Sequence, residues 1–233
     1  LIMNSTVYDA FRCLELLASA SRPQGIREMG RELSLDSAKI TRLMKTLLAL
    51  DMVHRDARRK YSLGIGIHRL SAYAIHNSAF YNAVIGILEE SGDPAISIVI
   101  GVLSGTNVVY IIHTRGGESI ARAIGNYQSY PVHDSVIGIK LLSAMSDEEI
   151  ISQIGIHDYR LLKNDIEQAR RHQVFAKAYG QHDYRLACNI PGMPAAIALS
   201  NINSEKMDVG MLSLYLISAA KKISGEPLTM LNQ

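Results

Sequence analysis

Three adjacent residues, His133, Asp134 and Ser135, are the types that build a nucleophilic relay. In such a relay a hydroxyl attacks, an imidazole takes its proton and a carboxylate orients the ring. Consecutive positions cannot put three side chains in line, so this triplet is not a relay. His133 is expected to hold its loop through a backbone hydrogen bond instead. Eight histidines with Cys188 form the other candidate set. No histidine pair has i,i+4 spacing, and no CxxC is present, so a metal site is not indicated. "GIG" at 64–66 lacks the rest of a dinucleotide fingerprint. These residues argue against an enzyme and against any cofactor.

A different set carries a physical task. In "DSAKITRLMKTLLALDMV" (36–53), Ile40, Leu43, Met44, Leu47 and Leu48 recur at helical spacing. The opposite face holds Lys39, Thr41, Arg42, Lys45 and Thr46, with Arg42 near its centre and no acid among them. A solvated face is the simplest account. A face that meets phosphates and base edges is the sharper one, because arginine bonds guanine bidentately and threonine bonds phosphate or touches a thymine methyl. Asp36 or Ser37 caps the helix by accepting its free N–H groups. The charge distribution agrees. Residues 1–70 carry 12 Lys+Arg against 7 Asp+Glu, and the remainder carries 12 against 15.

The elements that must position this face follow from the flanking sequence. "NSTVYDAFRCLELLASAS" is a capped amphipathic helix, broken by "SRPQG". "IREMGREL" is a short helix. After the third helix, Met52–Arg55 and Lys60–Leu63 read as two strands around the turn "DARR", with Arg58 and Arg59 at its tip. Three helices and a basic hairpin make a winged helix-turn-helix. In that arrangement one helix enters the major groove and the hairpin reaches the flanking backbone.

Residues 65–90 are helical again, with a break near "HNSA". "AISIVIGVL" and "NVVYIIHT" are strands joined by "SGT". "ESIARAIG" reads as a third strand. "DSVIGIKLLSAM", "SDEEIISQI" (capped by Ser146) and "NDIEQARRH" (capped by Asn164) are helices. "YRLACNI" and "PAAIALSNI" are paired strands. A long terminal helix starts at Ser204 and ends at Gly225. This is an α+β pattern: residues 1–64 as winged helix-turn-helix, 65–77 as linker helix, 78–233 as a second domain. No apolar run reaches membrane-spanning length, and "LIMNSTV" lacks the features of a signal peptide. Two cysteines are too few for a disulfide framework, so a cytoplasmic setting without membrane contact is the expectation.

The order of these parts resembles the IclR family of bacterial transcriptional regulators. The resemblance rests on "LDSAKITRLMKTLLALDMV", "RRKYSLG", "VVYI", "YPVHDSVIGIKLLSAM" and "AAIALS". It implies a DNA-binding repressor with Ser37, Lys39, Thr41, Arg42, Lys45, Thr46, Arg58 and Arg59 at the duplex. It also implies a GAF/PAS-like effector-binding domain, a homodimer or homotetramer, and a near-palindromic double-stranded operator of a catabolic operon. The effector would be a small anionic metabolite, an organic or sugar acid. By position its pocket would be lined by Arg122, Tyr130, Val136, Ile137, Arg185, Ala198 and Ser200. Arginine suits a carboxylate because its planar fork donates two charge-assisted bonds. The chain departs from the family pattern at Ile139, where the family has lysine and this chain places Lys140 one position on. It also departs along "AKAYGQHDYRL". The rival reading is a small-acid-binding protein or enzyme whose front domain makes protein contacts.

Overall fold

The structure is a computed structural model, and it describes residues 3–90, 95–114, 118, 120–125, 128–181 and 183–226. The chain divides into two compact units, residues 1–78 and 79–233. In the first, α1 (Ser5–Ser19), α2 (Ile26–Leu33) and α3 (Ser37–Ala49) precede a hairpin of β1 (Val53–Arg55) and β2 (Tyr61–Leu63), then α4 (Ile65–His76). The three helices and the hairpin close on one core. Cys13, Met29, Ile40 and Met44 are fully buried there, with Leu17, Leu43, Leu47, Val53 and Tyr61 around them. The stripe expected from α3 is thus the buried one, except that Leu48 is exposed at 39%.

Each helix end has a local cause. Asn4 accepts from the N–H groups of Thr6 and Val7 at the start of α1. Glu28 reaches back to the Gly25 N–H at 2.7 Å to open α2. Asp36 accepts from the Lys39 N–H at 2.7 Å to open α3. These bonds satisfy donors that have no partner inside the helix. Glu28 is held down at about 2, first by that backbone N–H and then by Arg22.

The second unit is a six-stranded, fully antiparallel sheet in the order β5-β4-β3-β8-β7-β6. Its strands are β3 (Ser97–Ser104), β4 (Asn107–His113), β5 (Gln128–Pro131), β6 (Val174–Ala178), β7 (Asp183–Asn189) and β8 (Ala195–Asn203). Strand alternation sends Ile98, Ile100, Ile197 and Leu199 to one face, where α5 (Ala79–Glu90), α6 (Ile120–Gly125) and α9 (Val209–Ser224) cover them. Val99, Ala187, Ala196 and Ala198 point to the other face, under α7 (Val136–Leu142) and α8 (Asp147–Arg171). The small residues on that face let α7 lie close. A Cβ at Gly101 would come within 3.1 Å of Ile137 Cγ2, and one at Gly138 within 2.4 Å of the Val132 carbonyl oxygen. Every residue of α7 is buried, Lys140 included. Its ammonium donates to the carbonyls of Ala169 (2.6 Å) and His172 (2.7 Å) at the end of α8.

Several expectations need correction. Residues 120–125 of "ESIARAIG" form helix α6, not a strand, because Ala123 and Ile124 are placed on one side against the sheet at helical spacing. Asn164 is not a cap. Gly155, at φ +82, sets the bend in α8, and the second segment runs on through Asn164 with Tyr159, Leu162, Ile166 and Ala169 buried. The terminal helix starts at Val209 with Asp208 as its cap, because β8 and a turn use residues up to 207; Gly225 ends it as expected. Among the described residues the His133 ring makes no bond to the backbone; it is half-exposed and faces Asp134 Oδ2 at 3.7 Å. The edge strands β5 and β6 were not foreseen.

Candidate nucleic-acid interface and ligand cleft

Helix α3 presents Ser37, Arg42, Lys45 and Thr46 to solvent, and the β1–β2 turn presents Arg58 and Arg59. Arg59 sits at φ +60 in that turn, where Asp56 accepts from the Lys60 N–H. Thr41 and Thr46 donate their hydroxyls back to the helix carbonyls of Ser37 (2.6 Å) and Arg42 (3.3 Å). Lys39 differs from its neighbours. Its ammonium pairs with Asp9 of α1, a carboxylate only 5% exposed, which also bonds Arg12 at 3.4 Å. Arg12 in turn donates to the Leu33 carbonyl at 3.0 Å. The Lys39 hydrogen bond, foremost, holds the Asp9 pKa below the usual carboxylate range. The acid-free face of α3 therefore has an acid at one edge, supplied by another helix. The basic residues Arg22 and Lys60 are likewise tied, both to Glu28. Of the three cations of α3, Arg42 and Lys45 have no ion pair among the described residues.

In the second unit a cleft of about 610 Å³ opens on the alanine face of the sheet. Five of the seven expected effector residues line it: Tyr130, Val136, Arg185, Ala198 and Ser200. Register brings them together, since Ser97 pairs with Ser200 and Val99 with Ala198. Ile137 is instead a core residue beneath, 1% exposed. Arg122 is exposed on α6, whose Ala123 and Ile124 pack into the core on the other face of the sheet. Neither borders the cleft.

The cleft also holds residues that sequence reasoning missed. Tyr110 packs at 5.6 Å against His113 and 5.0 Å against Tyr130, forming an aromatic wall. Tyr110 shares a 3.0 Å hydrogen bond with Ser135, and Gln128 Oε1 bonds both His113 Nδ1 (2.8 Å) and the Tyr130 hydroxyl (2.8 Å). On the other side Asn201 donates to Ser97 Oγ at 3.1 Å. Arg185 lies over the Tyr179 ring at 3.8 Å, and no described carboxylate lies within ion-pair distance of it. Burial raises the Tyr110 pKa, so its hydroxyl stays protonated and able to donate. A half-buried guanidinium, hydroxyl donors and flat rings together suit a small planar anion. The signal that could have found Tyr110 is its register against β5, which strand alternation alone does not supply.

A winged helix-turn-helix followed by a two-faced α+β sheet unit defines the class of this protein. Residues 10–57 match the sequence profile of the IclR helix-turn-helix domain. That stretch of the front unit is similar to the DNA-binding domain of the IclR family. The chain is 24% identical over 173 residues to the HTH-type transcriptional repressor AllR of Escherichia coli. That match takes in 67% of this chain and 63% of the repressor's length. Its fold is similar to the crystal structure of an IclR transcriptional regulator from Silicibacter sp., with TM-score 0.73, 18% identity, and 94% and 95% of the two chains covered. It is also similar to an IclR homologue from Microbacterium hydrocarbonoxydans complexed with 4-hydroxybenzoate, with TM-score 0.58, 19% identity, and 94% and 98% covered. Among the described residues no helix is long and apolar enough to cross a membrane, and no cluster of His, Cys, Asp or Glu is arranged to hold a metal ion.

Proposed function

We propose that this chain is a ligand-responsive, sequence-specific DNA-binding transcription regulator, a cytoplasmic repressor of a catabolic operon released by a small organic acid. The observation that carries the reading is the exposed, acid-free face of Arg42, Lys45 and Thr46 on the second helix of a helix-turn-helix. Arg42 reads a base edge; Lys45, Ser37 and the turn arginines Arg58 and Arg59 hold phosphates. A homodimer, or a pair of them, sets two such helices into a near-palindromic operator, with half-site centres about 10 base pairs apart or a multiple of that. The likeness to the AllR repressor supports this reading.

The effector docks its carboxylate on Arg185 and its body against Tyr110 and Tyr130, with Ser200 bonding a polar substituent. The family member that holds 4-hydroxybenzoate supports a planar acid of that size. The ligand changes DNA affinity only to the extent that it binds the two states of the protein unequally. Enrichment of the full chain's targets from a random duplex pool, followed by a salt titration, tests the proposal. A recurring near-palindrome and a steep loss of affinity with salt are expected. No enriched sequence, or salt-independent binding, overturns it.

A further inference from the structure

Strand register places a second cation beside the one in the cleft. In the β6–β7 pair, Lys177 lies directly opposite Arg185. Opposite residues of an antiparallel pair share a face, with Cβ atoms about 5 Å apart, and like charges there repel. The fold answers the two charges differently. Helix α8 takes Lys177: its ammonium donates to Asp165 Oδ2 at 2.6 Å, and the two side chains are only 32% and 29% exposed. Arg185 receives a ring in place of an acid, with its guanidinium over Tyr179 at 3.8 Å. Stacking occupies the flat face of a guanidinium and leaves the N–H donors at its edge for a ligand. Among the described residues that line the cleft, Arg185 is the only lysine or arginine. The only carboxylate there is Asp134, just before α7. Lys177 does not border the cleft, although its neighbour across the ladder does.

We propose that the cleft selects a monoanion, and that Asp165 sets this preference from outside it by withholding Lys177. The inference rests on the reading of the cleft as an effector site. One carboxylate is matched by the fork of Arg185. A second carboxylate beside the first turns toward Lys177, whose charge Asp165 has already neutralised. Elsewhere in the lining it meets Asp134. In either place it loses hydration with no cation to replace the water. Removing the charge of Asp165 frees an ammonium on a flexible four-carbon stem to join Arg185 on a pair of adjacent carboxylates. Asp165 is thus a positioning residue that acts through Lys177.

The test is calorimetry on the full chain, above the pH range in which carboxylates titrate, with three acids. Benzoate has one carboxylate, phthalate two adjacent ones and terephthalate two opposed ones. The native chain should bind benzoate at least about tenfold tighter than phthalate, a difference of about 1.4 kcal/mol. Asp165→Asn should raise phthalate to the affinity of benzoate or above it, with benzoate itself little changed. Terephthalate carries the same charge as phthalate and should gain far less, which separates a Lys177 contact from a general rise in positive potential. Adding Lys177→Met to Asp165→Asn should restore the native preference, and retained benzoate binding reports that each variant is folded. The proposal fails, and the effector reading stands, if the native chain binds phthalate as tightly as benzoate. It fails in the same way if Asp165→Asn leaves the ratio unchanged or lifts terephthalate equally, or if Lys177→Met does not reverse the gain. If none of the three acids binds the native chain or the variants, the effector reading itself falls and takes this inference with it.

Discussion

The exposed face of α3 and the Arg185 cleft are built in opposite ways. The first is convex and comes from one continuous helix, on which a 3.6-residue period decides which side chains share a side. The second is concave and drawn from β3, β4, β5, α7, β7 and β8. It includes a hydrogen bond between Ser97 and Asn201, 104 residues apart. In the first, position along the chain nearly equals position in space. In the second, strand register decides everything. The difference teaches where single changes act: on α3 they should alter one contact, and in the cleft they should alter a shared wall.

The strongest way to break this contrast is to unseat the helix itself. Ile40→Ala removes a fully buried side chain beneath α3. It should destabilise the first unit by about 2–5 kcal/mol. Denaturant unfolding with probes in each unit checks it, and equal losses in both units would deny their separateness. Next, Arg42→Ala should cost about 1–3 kcal/mol of operator affinity and relax base preference at one position. Unchanged binding to matched and mismatched duplexes would remove Arg42 from base reading. In the cleft, Arg185→Ala should weaken an aromatic carboxylate by about 10- to 150-fold, since a bond to a charged group is worth about 1.5–3 kcal/mol. Calorimetry with benzoate tests this, and an Arg122→Ala control should change nothing.

A smaller effect sharpens the reading of α3. Lys45→Met should lower the salt slope of DNA binding by about one. Lys39→Met should lower it less, because Asp9 already matches that charge, and should lower thermal stability instead. If the two slopes fall equally, the Asp9 pair does not persist on DNA. The smallest effect is in acid. Glu28 is held at about 2 against an ordinary 4.5. A carboxylate with a depressed folded pKa stabilises fully above its unfolded value and loses that contribution as pH falls toward the folded one. The first unit should therefore lose stability from about pH 4.5 toward 2, and Glu28→Gln should flatten that part of the melting-temperature profile.

Legibility followed the same division. The winged helix-turn-helix was readable because each helix of it is amphipathic and capped locally, as Asp36 and Glu28 show. The pairing of Lys39 with Asp9 was not, since the acid belongs to α1 and reaches α3 only after the core around Ile40 and Met44 has closed. In the second unit the central strands β3, β4, β7 and β8 were readable from their apolar runs. The edge strands β5 and β6 were missed because each is bonded on one side only and half-exposed, which leaves no clear alternation. Five cleft residues were reached through family position, yet Arg122 and Ile137 were not separated from them. The face of the sheet that a residue joins is not a property of its own segment.

From sequence alone the chain determined its two-part order, its helix caps and the basic face of α3, because these depend on residues within a few positions of one another. Tertiary structure decided which cation α3 keeps for itself and which residues share the cleft. Each of these needs two or more distant segments in contact. Register and packing fix such contacts, and no local period encodes them.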